Sequence, residues 1–303
     1  MPARSDPDKP AHEGACQTYA DLTRRATSGV MRAMLALLSP AKKLDLEPMK
    51  KAHLKLVPTQ PELLADAVLL HTSVKKLTAR QLGELMDLSE ALAELNHERF
   101  QSWQKIHEVG VNDGKPAALM FAGDVYTGLD APSLDVRTLT WSQEHLAILS
   151  GLYGLLRPLD VIQPYRLEMG SKVVTRRGAD LYQFWDDRIL HAIERRLAEH
   201  KSKVLVNLAS AEYMKSVQRK RLGVPIIDVH FREIKAGKPV ALMLFAKRAR
   251  GMMARFIISD RVDRPEGLKD FASEDYRYDA SLSGPEEWVF TRPYRVMSQG
   301  DDD

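Results

Sequence analysis

Apolar positions along the chain form two patterns, short continuous runs that are typical of buried strands and a helical spacing that is typical of amphipathic helices. Short runs that are apolar throughout predict strands buried on both faces of a sheet, at residues 35–38, 117–122 and 204–208. Apolar residues at helical spacing predict helices at residues 61–74, 78–95, 98–107 and 180–200. Pro61 suits the first turn of its helix, and Thr78 is the N-cap of the next one.

The same two patterns continue towards the C-terminus. Further strands are predicted at residues 172–176, 226–233, 240–245 and 288–291, and a helix at residues 247–262. The tetrapeptide Ala236-Gly-Lys-Pro239 lies between two of these strands and predicts a β-hairpin. Because no internal repeat or linker interrupts this series of elements, we expect one domain.

Residues 141–159 predict two helices joined by a tight turn. Leu146 and Leu149 continue the apolar stripe of a helix over residues 141–150, and Leu155 and Leu156 open a second helix. Between them, Gly151 and Gly154 permit a positive φ or a close approach of backbone. The pattern indicates a helix-hairpin-helix, although a plain helical corner with close packing has the same signature.

A helix-hairpin-helix would present its backbone N–H groups outwards. Gly151 and Gly154 with Arg157, and Arg166 nearby, would then form a site for a phosphate oxygen, as helix N-termini do for anions. The partner expected at such a site is the backbone of a nucleic acid.

The elements together predict an α+β fold, a single compact mixed domain with a central β-sheet surrounded by helices and containing a helix-hairpin-helix-like element. We expect this domain to span residues 34–297. Residues 1–33 have no period and are rich in polar residues, which predicts a disordered extension that is dispensable or that precedes a true start at Met34. Residues 298–303 are expected to be a disordered acidic tail.

Charge is segregated along the chain, although the net charge of the whole is only +3. Residues 201–262 hold 14 Lys and Arg against 4 Asp and Glu, whereas residues 263–303 hold 5 against 11. The basic block favours a polyanionic partner and binding that weakens with salt. The alternative is a solvated surface that the acidic block neutralises in the fold.

Cysteine and histidine usage argues against two classes of redox site. Cys16 is the single thiol of the chain, so a peroxidase that needs a second, resolving cysteine is not supported. An iron site of the ferritin type needs paired Glu-x-x-His motifs, and only Glu94-Leu-Asn-His97 fits that spacing. We therefore expect no metal site and no cofactor, with iron sequestration as the weakest alternative.

Two basic segments are candidates for contact with nucleic acid. A helical projection of residues 247–262 places Lys247, Arg248, Arg250 and Arg255 on one side and a packing face of Met and Phe on the other. Lys215 begins a second segment that continues through residues 219–221, with Tyr213 close by. Such cations would contact phosphates without recognising sequence.

Polar loops follow three of the predicted strands and suggest a pocket. Lys42, Asp124 and Glu212 lie in these loops, and Glu168 is expected to join them beside Arg166. Loops at the carboxyl ends of neighbouring strands tend to form pockets, and this set could support base excision by a carboxylate and a cation. The alternative is a buried ion-pair network that only stabilises the core.

Longer motifs occur in a fixed order from residue 34 to about residue 294. They are LSPAK at 38–42, FAGDVYTGL at 121–129, GLYGLLRPLDVIQPYRLEMG at 151–170, LYQFW at 181–185, NLASAEYMK at 207–215 and FAKRARG at 245–251. In order and spacing they resemble the YaaA family of peroxide-stress-resistance proteins. The resemblance implies a cytosolic bacterial protein that limits oxidative damage, with one mixed domain that binds DNA through a helix-hairpin-helix and a basic cleft.

The sequence thus predicts a cytoplasmic DNA-binding protein of the oxidative-stress response, a monomer that binds backbone without strong sequence specificity. An enzyme that acts on a nucleobase or nucleoside through Lys42, Asp124, Glu168 and Glu212 is the alternative.

Overall fold

The computed structural model describes residues 34–105, 107–200 and 203–295, which belong to one compact unit of the chain. The segments predicted as a disordered extension and an acidic tail, residues 1–33 and 298–303, lie outside the described residues. Within the described part, no helix is both long and apolar enough to span a bilayer.

The structure is a single mixed domain of strands and helices, as predicted. Its strands are β1 Leu35–Leu38, β2 Lys43–Leu44, β3 Lys115–Pro116, β4 Phe121–Ala122, β5 Leu146–Ser150, β6 Gly154–Leu156, β7 Val161–Ile162, β8 Leu205–Asn207, β9 Ile226–Lys235, β10 Lys238–Val240, β11 Arg277–Tyr278 and β12 Glu287–Pro293. Its α-helices are α1 Leu64–Val74, α2 Ala79–Met86, α3 Glu90–Ser102, α4 Ala117–Met120, α5 Asp124–Leu129, α6 Val136–His145, α7 Leu181–Trp185, α8 Arg188–Ala198, α9 Ala211–Met214 and α10 Met243–Ser259. Short 3₁₀ segments lie between them, among them Lys215–Val217, Arg219–Arg221 and Ser273–Asp275.

The central sheet has the strand order β11-β12-β9-β8-β1-β5-β6, and β10 pairs with β9. β1 is parallel to both β5 and β8, and β8 is parallel to β9. All residues of β1 are buried, as expected for an unbroken apolar strand with both faces covered. Helices α6, α8 and α10 pack against the sheet. Because parallel strands end at the same edge, the loops after β1, β5 and β8 meet at what we call the carboxyl edge.

The predicted helix-hairpin-helix is wrong, because residues 146–156 form a β-hairpin. β5 and β6 are antiparallel, with Ile148 opposite Leu156 and Ser150 opposite Gly154. The run Leu-Ala-Ile-Leu-Ser is apolar enough for either a helix or a buried strand, and pairing with β1 decides for the strand. The glycine turn therefore joins two strands of the core.

Other boundaries differ for local reasons. The strand predicted at residues 117–122 is mostly the short helix α4, and only Phe121–Ala122 is extended. The helices predicted at 78–95 and 180–200 are each broken by a left-handed or otherwise non-helical aspartate, Asp87 with φ 51° and Asp186 with φ 42°. Residues 172–176 contain a single isolated bridge at Thr175 in place of a strand.

Several predicted elements are confirmed. The strand at residues 35–38 has the predicted bounds, and β8 lies within the predicted 204–208. The predicted hairpin is confirmed, with its turn at residues 236–237, but the strand predicted at residues 240–245 is wrong, because β10 is Lys238–Val240 and α10 begins at Met243. β12 contains the predicted final strand.

Helix α10 crosses α5 at very short range, and this crossing positions both basic and acidic candidates. A Cβ added at Gly251 would lie 1.7 Å from the Val125 carbonyl oxygen, and one at Gly128 would lie 2.1 Å from the Arg248 carbonyl oxygen. Only glycine allows backbones to approach this closely. The crossing fixes the direction in which each side of α10 faces.

Candidate functional site

Glu168 is shared by two cations at the carboxyl edge. Lys42 Nζ lies 2.9 Å from Glu168 Oε1, and Arg166 Nη2 lies 3.3 Å from the same oxygen. The Lys42 side chain is 62% exposed, whereas that of Glu168 is 24% exposed. The structure therefore brings together the lysine and the carboxylate that the loop pattern had predicted as neighbours.

Two serines link the loops that follow β1 and β8. The backbone N–H of Ser210 donates a hydrogen bond to Ser39 Oγ at 2.9 Å, and the two hydroxyl oxygens are 3.4 Å apart. The hydroxyl of Tyr126 donates to the Ser39 carbonyl oxygen at 3.0 Å. These bonds hold the Lys42 loop against the loop that carries Glu212.

Glu212 fixes the segment that contains Glu168. Its Oε1 accepts a hydrogen bond from the Gly170 N–H at 2.9 Å, and its carbonyl oxygen accepts one from the Tyr182 hydroxyl at 3.1 Å. Burial raises the pKa of Tyr213, and the nearby Glu212 and Glu168 carboxylates also raise it. Tyr213 therefore lies close to both carboxylates.

Asp124 is carried on the neighbouring helix α5. It follows Gly123, whose φ of 113° turns the chain from β4 into the helix. A Cβ at Gly123 would lie 3.9 Å from the Cβ of Ala41, so Asp124 begins its helix beside the Lys42 loop. We call Ser39, Lys42, Glu168, Ser210 and Glu212 the edge cluster, with Asp124 at its border.

A cavity of about 740 Å³ adjoins the edge cluster. Its lining includes five cationic side chains, two carboxylates and the polar residues Asn207 and His230. The cationic residues are Lys215, Arg219, Lys220, Arg221 and Arg250. We call this the basic cavity, and Asp228 and Glu287 are its carboxylates.

Arg250 has the most unusual environment in the basic cavity. It is half-buried, and burial lowers its pKa. Arg219 forms an ion pair with Asp228, with Nη2 and Oδ2 2.6 Å apart, whereas no described carboxylate lies within ion-pair distance of Arg250. A partly desolvated cation without a counter-charge attracts an anionic ligand.

One loop serves both sites. Ser210 and Glu212 contribute to the edge cluster, whereas Ala209, Ala211 and Lys215 line the basic cavity. Residues 208–215 therefore contribute to both sites. Asn207 and His230 in the cavity were missed at the sequence level, because nothing in their local sequence marks them as neighbours of Lys215.

The glycines predicted to bind phosphate are buried. Trp185 Nε1 donates a hydrogen bond to the Gly151 carbonyl oxygen at 2.9 Å, and a Cβ at Gly154 would lie 2.8 Å from the Trp185 ring. Leu152 and Tyr153 between them have no exposed surface. The expectation that this turn presents outward-facing amides is wrong, because the turn packs into the core.

Arg157 lies at the edge of the sheet opposite the edge cluster, because β6 returns to where β5 begins. Its backbone N–H donates to the Asp160 carboxylate at 2.7 Å. Arg196 lies near it and donates to the carbonyl oxygens of Gln143 and Leu146. Burial and the charge of Arg157 lower the pKa of Arg196 to about 10. Arg157 therefore does not join Arg166 in one site.

The basic residues of α10 do not share one face. Arg248 and Arg255 line a second depression of about 400 Å³, and Arg250 lines the basic cavity. Arg248 is paired with Glu274 at 2.9 Å, and Arg255 donates to the Asp130 carbonyl oxygen at 2.9 Å. Lys247 is exposed. The prediction of a single basic face on this helix is wrong. Because α10 is packed on several sides, its arginines point in different directions from between the packed residues.

The Glu94-x-x-His97 motif lies on α3, where the Nδ1 atom of His97 is 3.0 Å from the Leu77 carbonyl oxygen. Across the described ranges, no group of three or more His, Cys, Asp or Glu side chains is arranged to hold a metal ion.

Comparison with known proteins identifies relatives over most of the chain. A family model described as peroxide stress protein YaaA matches residues 34–282. A UPF0246 protein of Caulobacter vibrioides strain NA1000 is 47% identical over 261 residues, which cover 86% of this chain and 99% of that protein. UPF0246 proteins of Burkholderia pseudomallei strain 668 and Cellvibrio japonicus strain Ueda107 are also 47% identical, over 262 and 260 residues, and 98% of each is covered.

Proposed function

Since the chain belongs to the peroxide stress protein YaaA family, we propose that it acts in the cytoplasm during peroxide stress by binding DNA in the basic cavity. The backbone phosphates would contact Lys215, Arg219, Lys220 and Arg221 and reach Arg250 at the inner wall. A single chain provides all these groups, so a monomer is sufficient for binding.

The observation that carries the proposal is the composition of the cavity. Five cations face two carboxylates, and Arg250 has no carboxylate at ion-pair distance among the described residues. Cations of this kind bind phosphates through charge and hydrogen bonds and do not recognise base edges. We therefore expect little preference for sequence and a strong dependence of affinity on salt.

Titration of a labelled duplex at several salt concentrations tests this proposal. Replacing the exposed Lys215 and Lys220 together by Ala removes two phosphate contacts, which is expected to lower the slope of log affinity against log salt by about two. The matched control is the pair Lys76→Ala and Arg80→Ala, which removes the same charge from exposed positions outside the cavity.

The control pair is expected to bind with the affinity and salt slope of the unmodified chain. Equal behaviour of the two double variants, or an affinity that does not change with salt, would refute binding in the basic cavity.

A second candidate function is an enzyme that acts on a nucleobase or nucleoside, and the contact of 2.9 Å between Lys42 and Glu168 favours it. A lysine and a carboxylate in contact can exchange a proton during a reaction. Asp124→Asn separates this candidate from binding alone. Loss of protection against peroxide in cells, with folding and DNA affinity intact, would support catalysis.

A further inference from the structure

We propose that Lys42 forms an imine with the aldehyde of an abasic site in DNA, so that the edge cluster holds damaged sugar and not an intact base. The inference rests on the proposed binding of DNA and names the substrate class of the adjoining site. It is carried by the exposure of Lys42, by its contact with Glu168 and by the burial of the tyrosines described around the edge cluster.

Lys42 is exposed to solvent, and a carboxylate that can accept its proton is in contact with it. More than half of its side chain is exposed, while its Nζ remains 2.9 Å from Glu168 Oε1. A lysine attacks a carbonyl only after it loses a proton, and the Glu168 carboxylate is placed to accept that proton. Arg166 lies 3.3 Å from the same oxygen and helps to hold the carboxylate beside Lys42.

The reaction balances without a further reactant. The Lys42 ammonium gives a proton to Glu168, and the free amine adds to the aldehyde carbon of the ring-opened deoxyribose to form a C–N bond. Glu168 then returns the proton to the hydroxyl of the carbinolamine, which leaves as water. The products are one iminium and one water, and the carboxylate is regenerated.

The surroundings of the cluster suit a sugar better than a flipped base. Enzymes that hold a flipped base stack it on aromatic or apolar side chains. Here Tyr126, Tyr165 and Tyr213 are each buried, and the Lys215 ammonium lies over one face of the Tyr182 ring at 4.3 Å. Within the described residues around Lys42, the groups offered are instead hydroxyls and charges.

Access from the basic cavity follows from the shared loop. Ser210 and Glu212 face the edge cluster, and Lys215 of the same loop lines the cavity. The proposal places a bound strand across this loop, so that it extends from the basic cavity to Lys42. An abasic nucleotide has no base to unstack, so its displacement from the duplex costs less than that of an intact nucleotide.

Trapping with borohydride tests the proposal on the full chain. The protein is mixed with a labelled duplex that contains one abasic site, borohydride reduces the imine, and the covalent adduct is measured on a denaturing gel. We expect an adduct with the unmodified chain and with Lys43→Ala, a matched control at an exposed neighbouring lysine. Lys42→Ala should reduce the adduct at least about tenfold, and Glu168→Gln should slow its formation by about a hundredfold.

Circular dichroism first shows that the variants are folded, and anisotropy with the same duplex measures binding separately. Binding without trapping, or trapping that persists in Lys42→Ala, overturns the imine and leaves the proposed function standing. Trapping of 2-deoxyribose 5-phosphate but not of the duplex assigns the imine to a free sugar and also overturns the proposal. Absence of both binding and trapping overturns both.

Discussion

At the scale of single residues, Glu168 and Arg250 show two ways of placing charge at the carboxyl edge. Glu168 accepts contacts from Lys42 and Arg166 on one oxygen, so its own charge is balanced within the protein. Arg250 is half-buried without a described carboxylate at ion-pair distance, so its balance must come from solvent or from a ligand. The first arrangement suits proton transfer and the second suits anion binding.

Asp160 should make the stability of the protein depend on pH. Burial raises its pKa from 3.8 to about 6, even though the Thr59 hydroxyl and the Arg157 N–H donate hydrogen bonds to it. A raised pKa means that the folded state holds the proton more tightly than the unfolded state. The free energy of unfolding should therefore fall as pH rises through about 4 to 6, by roughly 3 kcal/mol.

Urea denaturation between pH 4 and pH 7 measures this dependence. Asp160→Asn is expected to remove most of it, and Glu94→Gln, which changes an exposed carboxylate, should keep the slope of the unmodified chain. Stability that rises over this pH interval in the unmodified chain and in Glu94→Gln alike would contradict the burial of a protonated Asp160.

At the scale of elements, the crossing of α5 and α10 positions both candidate sites. Asp124 begins α5 at the border of the edge cluster, and Arg250 on α10 reaches the basic cavity. The helices meet at Gly128 and Gly251 with backbone in contact. The arrangement of both sites therefore depends on residues that have no side chain.

Gly251→Ala is expected to destabilise the protein strongly. A Cβ at this position would lie 1.7 Å from the Val125 carbonyl oxygen, so the helices must separate, at a cost on the order of 3 kcal/mol. Gly284→Ala is the matched control, because no atom lies within 4 Å of its added Cβ. Thermal unfolding measures both, and equal melting temperatures of the two variants would show that the crossing tolerates a methyl group.

Residues 146–156 show what local pattern could not decide. The sequence predicts a glycine-rich turn between two apolar segments, and the structure confirms the turn. Whether Leu146–Ser150 is helix or strand depends on its parallel partner β1, more than 100 positions earlier in the sequence, which a short window cannot register. Because a helix was predicted there, Gly151 and Gly154 were expected to be exposed, whereas both are buried. Arg157 was expected beside Arg166, whereas it lies at the edge of the sheet opposite the edge cluster.

At the scale of the whole molecule, the charge segregation has two outcomes. Part of the acidic block neutralises the basic block, since Glu274 pairs with Arg248. Lys215, Lys220 and Arg250 instead remain in the basic cavity beside a smaller number of carboxylates. Neutralisation within the fold therefore holds for Arg248, and the cations of the basic cavity are the groups that the proposed polyanionic partner would contact.

The sequence was sufficient for the mixed fold, the buried strand β1 and the convergence of strand-end loops at Lys42 and Glu212. Those predictions depend on short-range patterns and on the general rule that parallel strands share a carboxyl edge. The division of the arginines between two depressions could not be predicted, because it depends on how Gly128 and Gly251 orient α10.

Two arginines on α10 provide the most direct test of DNA binding in the basic cavity. Arg250 lines that cavity, whereas Arg255 on the same helix lines the other depression. The measurement is the slope of log affinity for a duplex against log salt. Arg250→Gln is expected to lower the slope by about one, and Arg255→Gln to leave it unchanged. A lower slope for Arg255→Gln with an unchanged slope for Arg250→Gln would contradict the account.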